Sequence, residues 1–266
     1  MASSPSDGHR TTSRQALIED QFTQQAELFA NAPALHDAAA LAALVQAARP
    51  HRNDTSLDVA CGPGTVVAAF AKYVRHAIGL DATDAMLDQA RKLASGRALT
   101  NVSWQQGDVR ALPFADAAFD IVSCRFAFHH FEEPEKAFAE MVRVCRPGGR
   151  IVLCDAVASD DPVKAAAFNA MERFRDPSTV EFRTLAFLVD LFRDIGLPAP
   201  TQTFYQVPVE LEALLKASFP VGDDRDGVRA IIRDAIDGDK MGVNAREHGE
   251  KIRFDYASVI LAAPRP

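Results

Sequence analysis

Leu57-Asp58-Val59-Ala60-Cys61-Gly62-Pro63-Gly64-Thr65 is the stretch on which the fold turns. A short apolar run stops at two glycines one residue apart, and an apolar, helix-like segment, Val66 to Val74, follows. A strand, a tight turn and a helix start in that order mark the place where an α/β sheet receives a nucleotide-like ligand. Glycine suits such a turn because a side chain would hold the ligand away from the backbone. The N–H groups at the helix start suit an anionic group such as a carboxylate. The dinucleotide fingerprint asks for a third glycine three residues after the second, and that place holds Val67.

The next segments keep the alternation going. His76-Ala77-Ile78-Gly79-Leu80-Asp81 reads as a second strand ending in a carboxylate, 17 positions after Gly64. A carboxylate there can accept both hydroxyls of a ribose. Its alternative role is to cap the helix Ala82 to Ala94, for which Asp84 is a rival. Asn101 to Val109 reads as a third strand closed by Gly107-Asp108. Arg110-Ala111-Leu112-Pro113-Phe114 leads to a buried fourth strand, Ala118 to Cys124. Phe128-His129-His130-Phe131-Glu132-Glu133-Pro134 follows, then a helix ending in Glu140 to Val144, a Pro147-Gly148-Gly149 turn and a fifth strand from Ile151.

As a whole, residues 55–156 resemble the class I S-adenosylmethionine-dependent methyltransferases, in the small-molecule branch that includes the ubiquinone/menaquinone C-methyltransferases. That family's first motif, acid-x-Gly/Ala-x-Gly-x-Gly, is matched by Asp58, Ala60, Gly62 and Gly64. The resemblance implies an α/β, Rossmann-like sheet of seven mostly parallel strands with helices on both faces. Its last strand is antiparallel and sits between the fifth and sixth. S-adenosyl-L-methionine is the implied cofactor and S-adenosyl-L-homocysteine its product. Asp81 and Ala82 would meet the ribose, Met86 would pack on the adenosine, and Asp108 and the Val109 N–H would meet the adenine. Backbone near Cys124 and Arg125 would approach the methionine part or the ribose. Met86 also fits an ordinary core position. Enzymes of the family that methylate DNA bases or protein glutamines carry Asn/Asp-Pro-Pro-Tyr/Phe after the fourth strand. This chain has Ser123-Cys124-Arg125-Phe126 instead, which favours a small-molecule methyl acceptor. Arg125 suits an anionic group of that acceptor or a structural ion pair.

Methyl transfer from a sulfonium needs alignment and exclusion of water, and needs a base only when the acceptor holds its proton. His129 is the candidate base, favoured over His130 for facing the pocket, with packing between aromatics as the alternative. Asp155, at the end of the fifth strand, is a further pocket candidate. Two other functions stay open. One is an S-adenosylmethionine-binding protein without catalysis. The other is an NAD-dependent dehydrogenase, which Val67 and Asp108 disfavour.

The chain has 266 residues, 48% hydrophobic and 24% charged, enough for one good core and an accessory piece. Its formal charge of −7 argues against a nucleic-acid partner, which calls for a basic face. No apolar run is long enough to span a bilayer. Cys61, Cys124, Cys145 and Cys154 form no C-x-x-C pair and read as buried thiols of a cytoplasmic protein, with no metal site. Residues 1–15 read as a disordered tail. Residues 16–50 read as N-terminal helices with a stripe of Phe22, Ala26 and Phe29, forming a lid or packing on the sheet. In relatives a Tyr near Phe29 contacts the methionine part. Residues 51–158 are expected to form the cofactor-binding core.

Residues 159–266 complete the sheet. Helices are expected over Pro162–Arg175 and Thr184–Ile195, and strands over Thr201–Val207 and Phe254–Leu261. Between those strands lies a helical insertion, 208–253, expected to cap an acceptor pocket or to make a dimer contact. Phe168, Phe174, Phe182, Phe187, Phe192 and Phe204 suit an apolar acceptor or a core. The acceptor's identity and the oligomeric state are not legible from the residues.

Overall fold

The computed structural model describes residues 14–266, with side chains from residue 21 onward except at 29, 33 and 34. The expected tail therefore lies outside the described residues but for its last two, which open the first helix. The reading of the Phe29 side chain lies outside them altogether.

Alternation of apolar residues sets the strands, and its change to helical spacing sets the helices between them. The strands are β1 (Thr55–Val59), β2 (His76–Asp81), β3 (Val102–Gln106), β4 (Phe119–Arg125), β5 (Cys145–Ala156), β6 (Thr201–Glu210), β7 (Arg246–His248) and β8 (Lys251–Pro264). The helices are α1 (Arg14–Ala30), α2 (Ala38–Ala48), α3 (Thr65–Phe70), α4 (Asp84–Gly96), α5 (Pro134–Val144), α6 (Pro162–Arg175), α7 (Leu185–Asp194), α8 (Leu211–Lys216) and α9 (Arg225–Asp234). The sheet runs β3-β2-β1-β4-β5-β8-β6. β8 is antiparallel to both neighbours, and the first five strands are parallel to one another. That is the expected Rossmann-like class, with one addition: β7 pairs with the start of β8 as a short hairpin. Pro208 sits inside β6, where it is tolerated because β6 is an edge strand.

Successive residues of a strand face opposite sides of the sheet, so the two cores alternate along the strands. Ile151 and Leu153 of β5 and Val259 and Leu261 of β8 pack under α5 and α7, against Phe138, Met141, Leu188 and Phe192. Val152, Cys154, Ile260 and Ala262 pack on the other face against Leu44, Val67, Phe70 and Leu87 of α2, α3 and α4. α3 is six residues long, shorter than the segment to Val74 suggested.

A third cluster joins α6 to the insertion: Phe168, Met171 and Phe182 meet Leu211, Leu215, Val228, Ile232 and Phe254. The acidic and basic residues of α9 face out, as its strong amphipathic pattern dictates. Of the second-half phenylalanines, Phe168, Phe182 and Phe192 are core residues, while Phe204 is 60% exposed on the edge strand. All four cysteines are buried thiols. Among the described residues no helix is long and apolar enough to cross a membrane.

Candidate functional site

The carboxyl ends of the parallel strands open on one cleft, about 1180 Å³ of atom-free space with its mouth in solvent. Each strand delivers its part through the loop that ends it, as the topology of an open α/β sheet requires.

From β1 come Asp58, Ala60, Cys61, Gly62 and Pro63. Asp58 is 3% exposed, and its Oδ1 accepts the Ser123 hydroxyl at 2.7 Å. Burial outweighs that bond and pushes the carboxyl up to about 7. The Cys61 N–H donates to the Leu80 carbonyl of β2 at 2.9 Å, and the Gly64 N–H closes the turn on the Cys61 carbonyl at 3.0 Å.

From β2 and the start of α4 come Asp81, Ala82, Thr83 and Met86. The Asp81 carboxylate is held in place by two backbone donors, Gly62 N–H at 2.8 Å and Thr83 N–H at 3.0 Å. Thr83, not Asp81, is the N-cap residue of α4. Burial raises the Asp81 carboxyl against those bonds. Two buried acids thus face one cavity, with their charged forms destabilised by burial.

After β3 come Asp108, Val109 and Arg110. Asp108 is engaged by its neighbour. Arg110 Nη2 lies 2.7 Å and its Nε 3.1 Å from Asp108 Oδ2. Those bonds, led by the guanidinium, hold the carboxyl below the usual range. Arg110 also reaches Glu133 across the cleft mouth at 3.5 Å. The pair Asp108–Arg110 must be shared or parted when a ligand amine comes to Asp108. Sequence reading missed Arg110, although its position two residues after Asp108 in a turn is the signal.

From the end of β4 and the segment after it come Arg125, Phe126, Ala127, His130 and Phe131, with Phe22 of α1 and Leu35 beside them. Arg125 is buried, donates to the Leu35 carbonyl at 3.2 Å, and lies over the Phe126 ring. Ala60 and Phe126, at the ends of neighbouring strands, take the left-handed conformation with φ of 54° and 55°. Such non-glycine residues cost about 1–3 kcal/mol each and gather at functional sites.

The structure brings together Asp58, Ala60, Gly62, Asp81, Ala82, Met86, Asp108, Val109 and Arg125 along this cleft. It places three other expected residues elsewhere. Gly64 caps α3 with φ +80°, and a Cβ there would stand 2.6 Å from Trp104 Cη2 and 2.9 Å from Ala90 Cβ. Its missing Cβ lets Trp104 and Ala90 pack close, and Gly64 is not among the residues lining the cleft. Cys124 is fully buried in the core beneath α5. His129 stacks on Phe182 at 4.1 Å, with Nδ1 2.8 Å from Asp155 Oδ1. Asp155 Oδ2 also accepts the His129 N–H, so that acid is committed to His129. The histidine that lines the cleft is His130, packed edge-on against Phe22 at 4.9 Å. No lining residue comes from 208–253, so the insertion, expected as a cap, does not border this cleft. It packs on α6 instead.

Comparison with known proteins agrees with this architecture. The family described as "Methyltransferase domain" matches residues 57–153. The uncharacterized methyltransferase YcgJ of Bacillus subtilis (strain 168) is 29% identical over 245 residues, 91% of this chain and 97% of its own. The solved YcgJ structure superposes with a TM-score of 0.75 over 86% of this chain and 99% of that one. YafE of Escherichia coli (strain K12), an uncharacterized protein, is 31% identical over 143 residues, 54% of this chain and 69% of its own. The ubiquinone/menaquinone biosynthesis C-methyltransferase UbiE of Roseobacter denitrificans is 33% identical over 152 residues, 54% of this chain and 61% of its own. By sequence and by fold, residues 57–153 carry a methyltransferase domain, and the chain resembles the class I S-adenosylmethionine-dependent methyltransferases of the small-molecule branch.

Proposed function

We propose that this cleft binds S-adenosyl-L-methionine and that the protein transfers its methyl group to a small apolar or aromatic metabolite by in-line displacement. The observation that carries the reading is the pair of buried acids, Asp58 and Asp81, facing one cavity. A ligand rich in hydroxyl donors and carrying positive charge relieves their burial, and a nucleoside sulfonium has both. When bound, this cofactor supplies a methyl group already activated by its positive sulfur.

The chain's own residues then bind, orient and exclude water. Asp81 would accept the ribose hydroxyls beside Ala82. Asp58 would face the cationic end, with Ala60 and Gly62 letting the backbone come close. Met86, Asp108 and the Val109 N–H would bound the adenine. Phe22, Leu35, Phe126 and Phe131 leave an apolar neighbourhood for the acceptor, with Arg125 and His130 as its polar features. Dry surroundings favour methyl transfer by removing competing water. The four buried thiols support a cytoplasmic setting.

Calorimetric titration with S-adenosylhomocysteine, with NAD as control, tests the proposal. Micromolar binding to the first and none to the second is expected. Binding to NAD alone would overturn it.

A further inference from the structure

The turn carrying the two histidines rests on the loop after α6. Val180 N–H and Glu181 N–H both donate to the His129 carbonyl, at 2.8 and 3.0 Å. That docking brings Ser178 Oγ within 3.1 Å of His130 Nδ1, across 48 residues of sequence. Ser178 Oγ also lies 2.5 Å from Asp176 Oδ1, which accepts the Ser178 N–H at 3.0 Å as well. His130, Asp176 and Ser178 are 7%, 5% and 0% exposed, so water barely competes for these bonds. Behind them Arg175 stands 3.9 Å from Asp176 Oδ2 and 2.6 Å from the fully buried Glu172. Burial raises the Asp176 carboxyl, but Arg175 and the two Ser178 bonds hold it below the usual range.

Counting protons decides the histidine's form. A serine hydroxyl has one hydrogen, and an ionised carboxylate can only accept. The Ser178 proton therefore points to Asp176, and Ser178 turns a lone pair to His130. Nδ1 must then carry the ring hydrogen, because burial, with His129 alongside, keeps this imidazole neutral. Nε2 is left with its lone pair on the ring edge away from Ser178, in a residue that lines the cleft.

We propose that Ser178 and Asp176 are positioning residues that lock His130 as the Nδ1–H tautomer, so that Nε2 receives a proton from a methyl acceptor bearing O–H or N–H. The proposal rests on the methyl-transfer reading of the cleft. As the acceptor's oxygen or nitrogen forms its bond to the methyl carbon, the carbon–sulfur bond breaks and its electron pair goes to sulfur. The acceptor's proton passes to Nε2. The positive charge lost from sulfur thus ends on the imidazole ring, where Asp176 steadies it through Ser178 without becoming protonated. Among the described residues, the charged or titratable groups around this ring are His129 beside it, Asp155 behind His129 on β5, and Asp176 and Arg175 on the loop after α6. α1 offers the Phe22 ring.

Two-bond ¹⁵N–¹H spectra of the full-length protein with labelled histidine test this directly, free and with S-adenosylhomocysteine. His130→Gln identifies the resonance. The expected result is a protonated Nδ1 and a bare Nε2 from about pH 6 to 8, where free histidine changes charge. Ser178→Ala should move the ring toward the Nε2–H form, and Ser178→Thr should restore the Nδ1–H form. Because Ser178 does not line the cleft, S-adenosylhomocysteine affinity should stay within about twofold in both variants. An Nε2–H ring in the wild-type protein, or one unmoved by Ser178→Ala, overturns the proposal. If Ser178→Ala does not fold, the wild-type and Ser178→Thr spectra still decide. Loss of all S-adenosylhomocysteine binding in the wild-type protein would sink the methyl-transfer reading instead, and the free-protein spectrum separates the two failures.

Discussion

Asp58→Asn should make the ligand-free protein more stable at alkaline pH while weakening the donor site. Asp58 is 3% exposed, and burial lifts its carboxyl from 3.8 to about 7. The sign follows from linkage. A carboxyl whose folded value is raised favours the folded state fully below the unfolded value, and that contribution disappears as pH rises through the folded value. Above about pH 7 the folded protein therefore carries a charge that costs about 4 kcal/mol, at about 1.4 kcal/mol per pKa unit. At about pH 5.5 the cost falls to about 2 kcal/mol, because the folded side chain is then protonated. Asparagine keeps an oxygen for the Ser123 hydroxyl. Its two amide hydrogens need partners, which takes back about 1–3 kcal/mol. The net gain at about pH 8.5 is about 1–3 kcal/mol, or about 2–4 °C in melting temperature per kcal/mol. Scanning calorimetry of both proteins at these two pH values is the assay. The variant's advantage should shrink by about 2 kcal/mol on going to the lower pH. An advantage that does not change with pH, or a variant less stable by the same amount at both, would refute a charged Asp58 in the empty cleft. Calorimetry with S-adenosylmethionine should show weaker binding to the variant, because the cationic end of the ligand then loses its counter-charge.

Two further variants separate ligand contact from packing. Asp81→Ala should weaken S-adenosylhomocysteine binding by about 1–3 kcal/mol, the range for a lost charged hydrogen bond; unchanged affinity in a titration would remove Asp81 from the ribose site. Gly64→Ala should lower stability by about 1–3 kcal/mol, because its Cβ collides with Trp104 and Ala90 in a left-handed turn; chemical denaturation that leaves the midpoint unmoved would show that Trp104 yields freely.

The sequence alone determined the sheet and the loops that end its strands. Local signals do this: apolar alternation, glycine and proline breaks, and helical spacing from Pro162 and Thr184 need no distant partner to be read. Read with the family resemblance, their order let Asp58, Gly62, Asp81, Asp108 and Arg125 be grouped before any coordinates. What the tertiary structure decided is which way each side chain points and what it meets. Cys124 turns into the core because neighbours along a strand face opposite ways, and Gly64 lies where the turn packs against Trp104 and Ala90. Of two adjacent histidines, only packing chose: Phe182 and Asp155 take His129, and His130 is left for the cleft. Arg110 holds Asp108 through a turn that the alternation of strands does not encode. Asp176 and Ser178 are ordinary polar residues after a helix in sequence, and gain His130 as a partner only when the loop docks on the His129 carbonyl. Burial, which raises Asp58 and silences the charge on His130, is a property of the closed fold and is absent from any linear stretch.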